Sequence, residues 1–211
     1  YVEDVNINEL LINYKKSHPD TFNYCHKGDL NTPTSINRMI QSSNSEVALI
    51  LEPNVTVNRA TIESMMNVLY KNDYVGVVGC TVVDKHDKSR VLTNIVEWFD
   101  HDGLWYKSPV TIKRPYDTKP ERVSMVPSQC YMFKTSLLSR YKMLDVSFNN
   151  MGFEHDFQLK LLSEKFENYV VSSVVVENPV KRRETFNDIN DGILFHKRWI
   201  DPGPWKYSIP G

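Results

Sequence analysis

Hydrophobic positions along this chain switch between the two-residue period of a strand and the 3.6-residue period of a helix. Residues 1–7 (YVEDVNI) read as a first strand, and 8–17 as a helix with Leu10, Leu11 and Tyr14 on one face, broken at His18-Pro19-Asp20. Residues 21–28 (TFNYCHKG) form a second, weaker strand. Thr32-Pro33 has the form of an N-cap with proline at the first helical position, and Ile36, Met39 and Ile40 supply that helix's apolar stripe. A buried strand is expected over 46–51. Asn58 then caps a helix carrying Ile62, Met65, Met66 and Leu69. Residues 74–84 (YVGVVGCTVVD) make a fully buried strand.

From Lys85 to Arg122 the pattern loosens into charged and aromatic loops, with a hairpin expected at Asp102-Gly103. Strand character returns over 122–134. An amphipathic helix with Leu159, Leu162 and Phe166 on one side follows, then a last strand at 170–179 and a basic tail. Alternating β and α units predict one α/β domain over 1–211, with a mixed, mainly parallel sheet flanked by helices.

Composition narrows the classes. Of 211 residues 24% are charged, yet the net charge is −1, so neither a nucleic-acid nor a membrane-surface partner is expected. The longest apolar run is too short and glycine-interrupted to span a bilayer, and no signal peptide is visible. Cys25, Cys80 and Cys130 are odd in number and lack metal-ligand spacing, which reads as reduced, buried thiols and a cytoplasmic location. The asparagine-, lysine- and tyrosine-rich composition would suit a viral or bacterial enzyme.

Chemistry first surfaces where the apolar run Val47–Leu51 stops at Glu52-Pro53-Asn54. Open α/β sheets hold ligands at the carboxyl ends of their strands, so an abrupt change from core to polar donors there marks a candidate site. A second cluster is Glu154-His155-Asp156, opening the predicted helix. A carboxylate there is held by the helix dipole and can still serve as a base, while Asp156 is equally a good N-cap and His155 reads as structural. Asp100-His101-Asp102 is a literal Asp-x-Asp, but its Asp-Gly continuation reads as a solvated turn. Trp98, Trp105 and Tyr106 around it would make an aromatic lip for stacking on a ligand. In the tail, Lys181, Arg182, Arg183, Lys197 and Arg198 make a basic run able to engage phosphate oxygens, and Asp188 and Asp191 are further acids beside it.

Taken in order, these landmarks resemble GT-A-fold glycosyltransferases, nearest to the large family 2 that includes bacterial rhamnosyltransferases. The segment NTPTSINRMIQSSNSEVALILEPNVTV is similar to that family's helix with an internal Asn followed by a strand ending in Leu-Asn-Pro-Asp-Val. YVGVVGCTVVD resembles its Val-Gly-Pro strand. Residues 123–161 look like its acceptor-side segment with an acidic cluster opening a helix, and DGILFHKRW resembles its terminal aromatic–Lys–Trp element. The resemblance implies a GT-A (Rossmann-like) fold with a nucleotide-sugar donor half at 1–84 and an acceptor half with a C-terminal loop at 85–211.

The same resemblance implies residue roles. Asp4, Asn37, Glu52, Arg182 and Arg183 would bind the donor, and Glu154 and Asp156 would be catalytic. Glu52, Asn54 and His196 would hold Mn²⁺ or Mg²⁺. Two departures stand out: the N-terminus has room for about one strand–helix unit fewer, and the family's Asp-x-Asp falls on Glu52-Pro53-Asn54. Asn54 brings a carbonyl oxygen without charge, so a metal bound there should be held weakly, with Mn²⁺ favoured beside an imidazole. The expected activity is metal-assisted transfer of a sugar from a UDP- or dTDP-sugar to a hydroxyl of a glycan or glycoprotein acceptor. The alternative is a GT-A-like module that binds nucleotide sugar or glycan without turnover.

Overall fold

A computed structural model describes residues 5–20, 30–53, 55–87, 91–93, 95–101, 104–110, 119–141, 143–178 and 189–201. Its helices are α1 (Val5–Ser17), α2 (Thr32–Gln41), α3 (Arg59–Leu69), α4 (Thr135–Arg140), α5 (Phe153–Ser163) and α6 (Ile189–Phe195), the last running into a π-helical turn, His196–Ile200. The strands are β1 (Val47–Leu51), β2 (Val75–Asp84), β3 (Val91–Thr93), β4 (Ile95–His101), β5 (Leu104–Val110), β6 (Glu121–Val123), β7 (Cys130–Lys134) and β8 (Glu167–Asn178).

The main sheet has the order β1-β7-β2-β8-β6, with β3 continuing beyond β7 along β2. Strands β2 and β8 pair in parallel, whereas β7 inserts antiparallel between β1 and β2, and β6 runs antiparallel to β8. Strands β1, β2 and β8 therefore share one direction. Every residue of β2 is buried, as a central strand covered on both faces requires. Alternation along β7 divides the core. Tyr131 and Phe133 join the layer under α2 and α5, while Cys130 and Met132 join the layer under α3. Strand β2, from the first 84 residues, is thus hydrogen-bonded on both sides by strands from later in the chain, β7 and β8.

Four local expectations change. Residues 5–7 belong to α1 rather than to a strand, because Ile7, Leu11 and Tyr14 continue a helical spacing. Residues 1–4 and the strand expected over 21–28 lie outside the described residues. Asn31, not Thr32, caps α2: its Oδ1 accepts the Thr34 N–H at 3.0 Å, and Met39 faces solvent. The strand expected over 122–134 is two, β6 and β7. Between them Gln158 bonds the Val126 main chain like a neighbouring strand, accepting its N–H at 2.7 Å and donating to its carbonyl at 3.3 Å. A Cβ at Gly79 would lie 2.5 Å from Val126 Cβ, so this close approach requires glycine.

The fourth change bears on function. Helix α5 is not amphipathic: residues 153–159 are all buried, among them Glu154, His155, Asp156 and Gln158. Phe166 lies beyond its end. Burying so many polar groups is costly unless each has a task. The Asp102-Gly103 hairpin expectation holds in that β4 and β5 pair antiparallel with His101 opposite Leu104. Side chains of this hairpin, including the aromatic lip, lie outside the described part.

Candidate active site

The end of β1 opens onto a hollow of about 330 Å³. Ile50, Leu51, Glu52 and Pro53 form one side, Tyr131 of β7 lines it from the sheet, and Phe153, Glu154 and His155 close it from α5. Thr32 and Ile36 of α2, with Ser128, Asn150 and Met151, complete the lining. The volume lies at the small end of the range for small-molecule sites, and the mix of apolar walls with a few polar groups fits one. Two of the acids expected from sequence, Glu52 and Glu154, are therefore brought together although 102 positions apart in number.

Glu52 is placed by the main chain. Its N–H donates to the Gln129 carbonyl at 3.0 Å, and its own carbonyl accepts from Val55 at 3.0 Å, turning the chain just past β1. The side chain remains partly exposed. Glu154 is buried in the first turn of α5, where the helix dipole favours its charge. The chain enters α5 through Gly152 at φ 84°, a left-handed conformation that favours glycine, and a Cβ there would sit 3.3 Å from the Phe148 ring.

Asp156 does something else. It neither caps α5, which starts at Gly152 without a side-chain cap, nor lines the hollow. It is fully buried, and its Oδ1 accepts from Arg198 Nη1 at 2.6 Å and Trp199 Nε1 at 2.9 Å. Lys160 Nζ lies 2.7 Å from its Oδ2. Asp145 completes the group, 2.7 Å from Arg198 Nη1. Burial pushes the Asp145 carboxyl up, but the Ser147 N–H and the Arg198 guanidinium outweigh it and leave the pKa at about 2. Burial likewise lowers the Arg198 pKa, and hydrogen bonds and charge from Asp156 and Asp145 more than reverse it. This network staples the π-helical turn to α5, so Arg198 is committed to carboxylates.

The rim is fixed from α6. Asp191, also buried, accepts the N–H groups of Asn149 at 2.7 Å, Asn150 at 2.8 Å and Met151 at 3.0 Å. Thr32 reaches the same loop through Asn150 at 2.9 Å. Asn37 is buried and its amide bonds the Leu144 main chain in both directions, at 2.8 and 3.0 Å. It steadies the rim from behind and does not line the hollow. His196 is not gathered in either. It pairs with Asp201 at 2.8 Å beside a separate depression with Lys197. Asp4, Asn54, Asp102, Lys181, Arg182, Arg183 and Asp188 lie outside the described residues.

Tyr131 was not anticipated as a site residue. Nothing local in the sequence says which helix it faces. It is 1% exposed, and its hydroxyl has no hydrogen-bond partner among the described residues. Burial first, then the Glu154 charge, push its pKa well above the ordinary phenol value, so it stays protonated.

No protein-family model matches the chain, and no curated protein sequence does. Solved structures do. GalNAc-T7 with UDP, GalNAc and Mn²⁺ superposes with a TM-score of 0.72 at 12% identity, over 95% of this chain and 41% of that one. The mannosyltransferase PcManGT from Pyrobaculum calidifontis, in complex with GDP-Man and Mn²⁺, superposes at 0.54 and 16% identity, over 86% of this chain and 46% of that one. This is the GT-A glycosyltransferase fold. The GT-A chain described here spans less than half the length of either neighbour.

Among the described residues no group of three His, Cys, Asp or Glu is arranged to hold an ion. Glu52 alone presents a partly exposed carboxylate at the strand end, with Asn54 two positions on. Glu52 by itself is one hard oxygen donor, and Asn54 lies outside the described residues. Among the described residues no helix is long and apolar enough to cross a membrane. Cys80 and Cys130 are buried free thiols, and Cys25 lies outside the described residues.

Proposed function

We propose that this chain is a glycosyltransferase module that moves a sugar from a nucleotide-diphosphate donor to a hydroxyl of a glycan acceptor. The carrying observation is that a GT-A fold brings Glu52 and Glu154 to one hollow at the end of β1. Glu52 is proposed to face the diphosphate and, together with Asn54, would hold Mn²⁺ or Mg²⁺, which when bound supplies neutralisation of leaving-group charge. Asp4, Arg182 and Arg183 are proposed to complete the donor subsite. The sugar occupies the hollow between Glu52 and Glu154.

Glu154 acts as base. It takes the acceptor hydroxyl proton as that oxygen attacks the anomeric carbon and the bond to the diphosphate breaks, giving the inversion implied by the family 2 resemblance. Asp156 takes no proton in this scheme and holds the C-terminal turn. Residues 1–84 form the donor half and 85–211 the acceptor half. UDP and dTDP are the proposed nucleotides, and the apolar walls at Ile36, Ile50 and Phe153 suit one face of a pyranose.

Thermal-shift screening against nucleotide sugars, with and without Mn²⁺, tests the reading because a ligand bound only to the folded state raises the melting temperature. A UDP- or dTDP-sugar that does so in a metal-dependent way supports it, and no shift with any donor overturns it. The second reading, a binding module without turnover, is favoured by the thin donor set at Glu52. Binding without release of free nucleotide would select it.

A further inference from the structure

We propose that Tyr131 and Gln129 are specificity-determining residues on the sheet side of the hollow, where the phenol hydroxyl and the amide oxygen read hydroxyl groups of a hexopyranose ring. The assignment rests on the proposed function, in which that hollow takes the transferred sugar. Both side chains are more than nine-tenths buried, Tyr131 at 1% and Gln129 at 4% exposure. Tyr131 lines the hollow, and so do Ser128 and Glu52, the neighbours of Gln129 along the chain and across the sheet. The β1–β7 ladder pairs Tyr131 with Ile50 and Cys130 with Leu51, then runs one bond further, from the Glu52 N–H to the Gln129 carbonyl at 3.0 Å. Gln129 is thus two positions from Tyr131, the spacing that puts side chains on one face of a strand, and the Tyr131 face is the one under α2 and α5.

Among the described residues neither the Tyr131 hydroxyl nor Gln129 Oε1 has a hydrogen-bond partner. A buried polar atom left open costs free energy, and in a native core each one calls for an explanation. The other buried amides of the described core show the contrast: Asn37 bonds the Leu144 main chain, Gln158 the Val126 main chain and Asn168 the Ser124 carbonyl. The open pair sits where the core meets a cavity instead. A sugar ring supplies what both atoms lack, because a hydroxyl can accept from the phenol and donate to the amide oxygen. Burial keeps the phenol protonated and so able to donate. A few fixed polar groups among apolar walls are how small-molecule sites set the orientation of what they hold.

The test is saturation-transfer NMR with free glucose, galactose, mannose, rhamnose and N-acetylgalactosamine, each with and without UDP and Mg²⁺, on wild type, Tyr131→Phe and Gln129→Met. Each substitution keeps the bulk of the side chain and deletes the oxygen at issue. At least one of these sugars should bind wild type and lose at least about threefold in affinity in each variant, the worth of one neutral hydrogen bond, while affinity for UDP alone is unchanged. Both variants should melt no lower than wild type, because the atom removed has no partner in the free protein. Equal sugar affinity in all three proteins, binding of none of the five sugars to wild type, or variants that melt several degrees lower would each overturn the proposal. UDP that fails to bind counts against the donor reading alone, since the comparison without nucleotide still decides this one.

Discussion

Replacing Asp156 by asparagine should damage the fold, whereas replacing Glu154 by glutamine should damage the chemistry. Asp156 accepts hydrogen bonds from Arg198 at 2.6 Å and Trp199 at 2.9 Å and forms an ion pair with the Lys160 ammonium at 2.7 Å. An asparagine retains one oxygen for Arg198 and Trp199 but turns an amide N–H₂ toward the Lys160 ammonium, so one contact becomes donor against donor. Removing one partner of a buried pair typically costs about 3–5 kcal/mol. Here the Arg198 and Lys160 side chains are 29% and 33% exposed, so water takes up part of the stranded charge. The expected loss is about 2–4 kcal/mol. For a chain of this size that lowers the melting temperature by roughly 5–15 °C. Glu154→Gln is isosteric and should melt within about 3 °C of wild type while transfer falls at least about a hundredfold, the usual contribution of a general base. Calorimetric melting and single-turnover transfer on both variants provide the readout. An Asp156→Asn protein that melts like wild type yet loses transfer would refute the division of labour and return Asp156 to the role of base.

Two further outcomes follow from the same geometry. Asp145 has its folded pKa depressed from 3.8 to about 2, so its contribution to stability is fully present above about 3.8 and is lost as pH falls through about 2. Asp145→Asn should flatten the acid limb of a melting-temperature profile between those values, and an unchanged limb would contradict the assignment. Asp191→Ala should free the N–H groups of residues 149–151 and cost at least about 2 kcal/mol, since bonds to a charged acceptor are worth about 1.5–3 kcal/mol each. Hydrogen exchange at those amides should rise, and unaltered protection would contradict the latch.

The sheet was legible where a single element carries its own pattern. Val75–Asp84 reads as buried because it is buried on both faces, and Glu52 announces itself by ending an apolar run. Long-range pairing was not legible. Nothing local says that β7 slots between β1 and β2, or that Gln158 stands in for a strand beside Val126. Helix α5 looked amphipathic because the residues that bury its polar side, Arg198 and Trp199, arrive more than 40 positions later. Glu154 and Asp156 were indistinguishable for the same reason. Only the tertiary fold sends one toward the hollow and the other toward the C-terminal turn. His196 resembled a ligand by sequence order alone, and its Asp201 partner five residues on takes the imidazole elsewhere.

Calorimetric titration of UDP with Mn²⁺ into wild type and Glu52→Gln addresses the central claim most directly, that the end of β1 faces a nucleotide diphosphate. Wild type should bind UDP more tightly with Mn²⁺ than without it, and Glu52→Gln should lose at least about tenfold in affinity, or about 1.4 kcal/mol, in the presence of metal only. Equal affinity in the two proteins, or no binding by either, would contradict it.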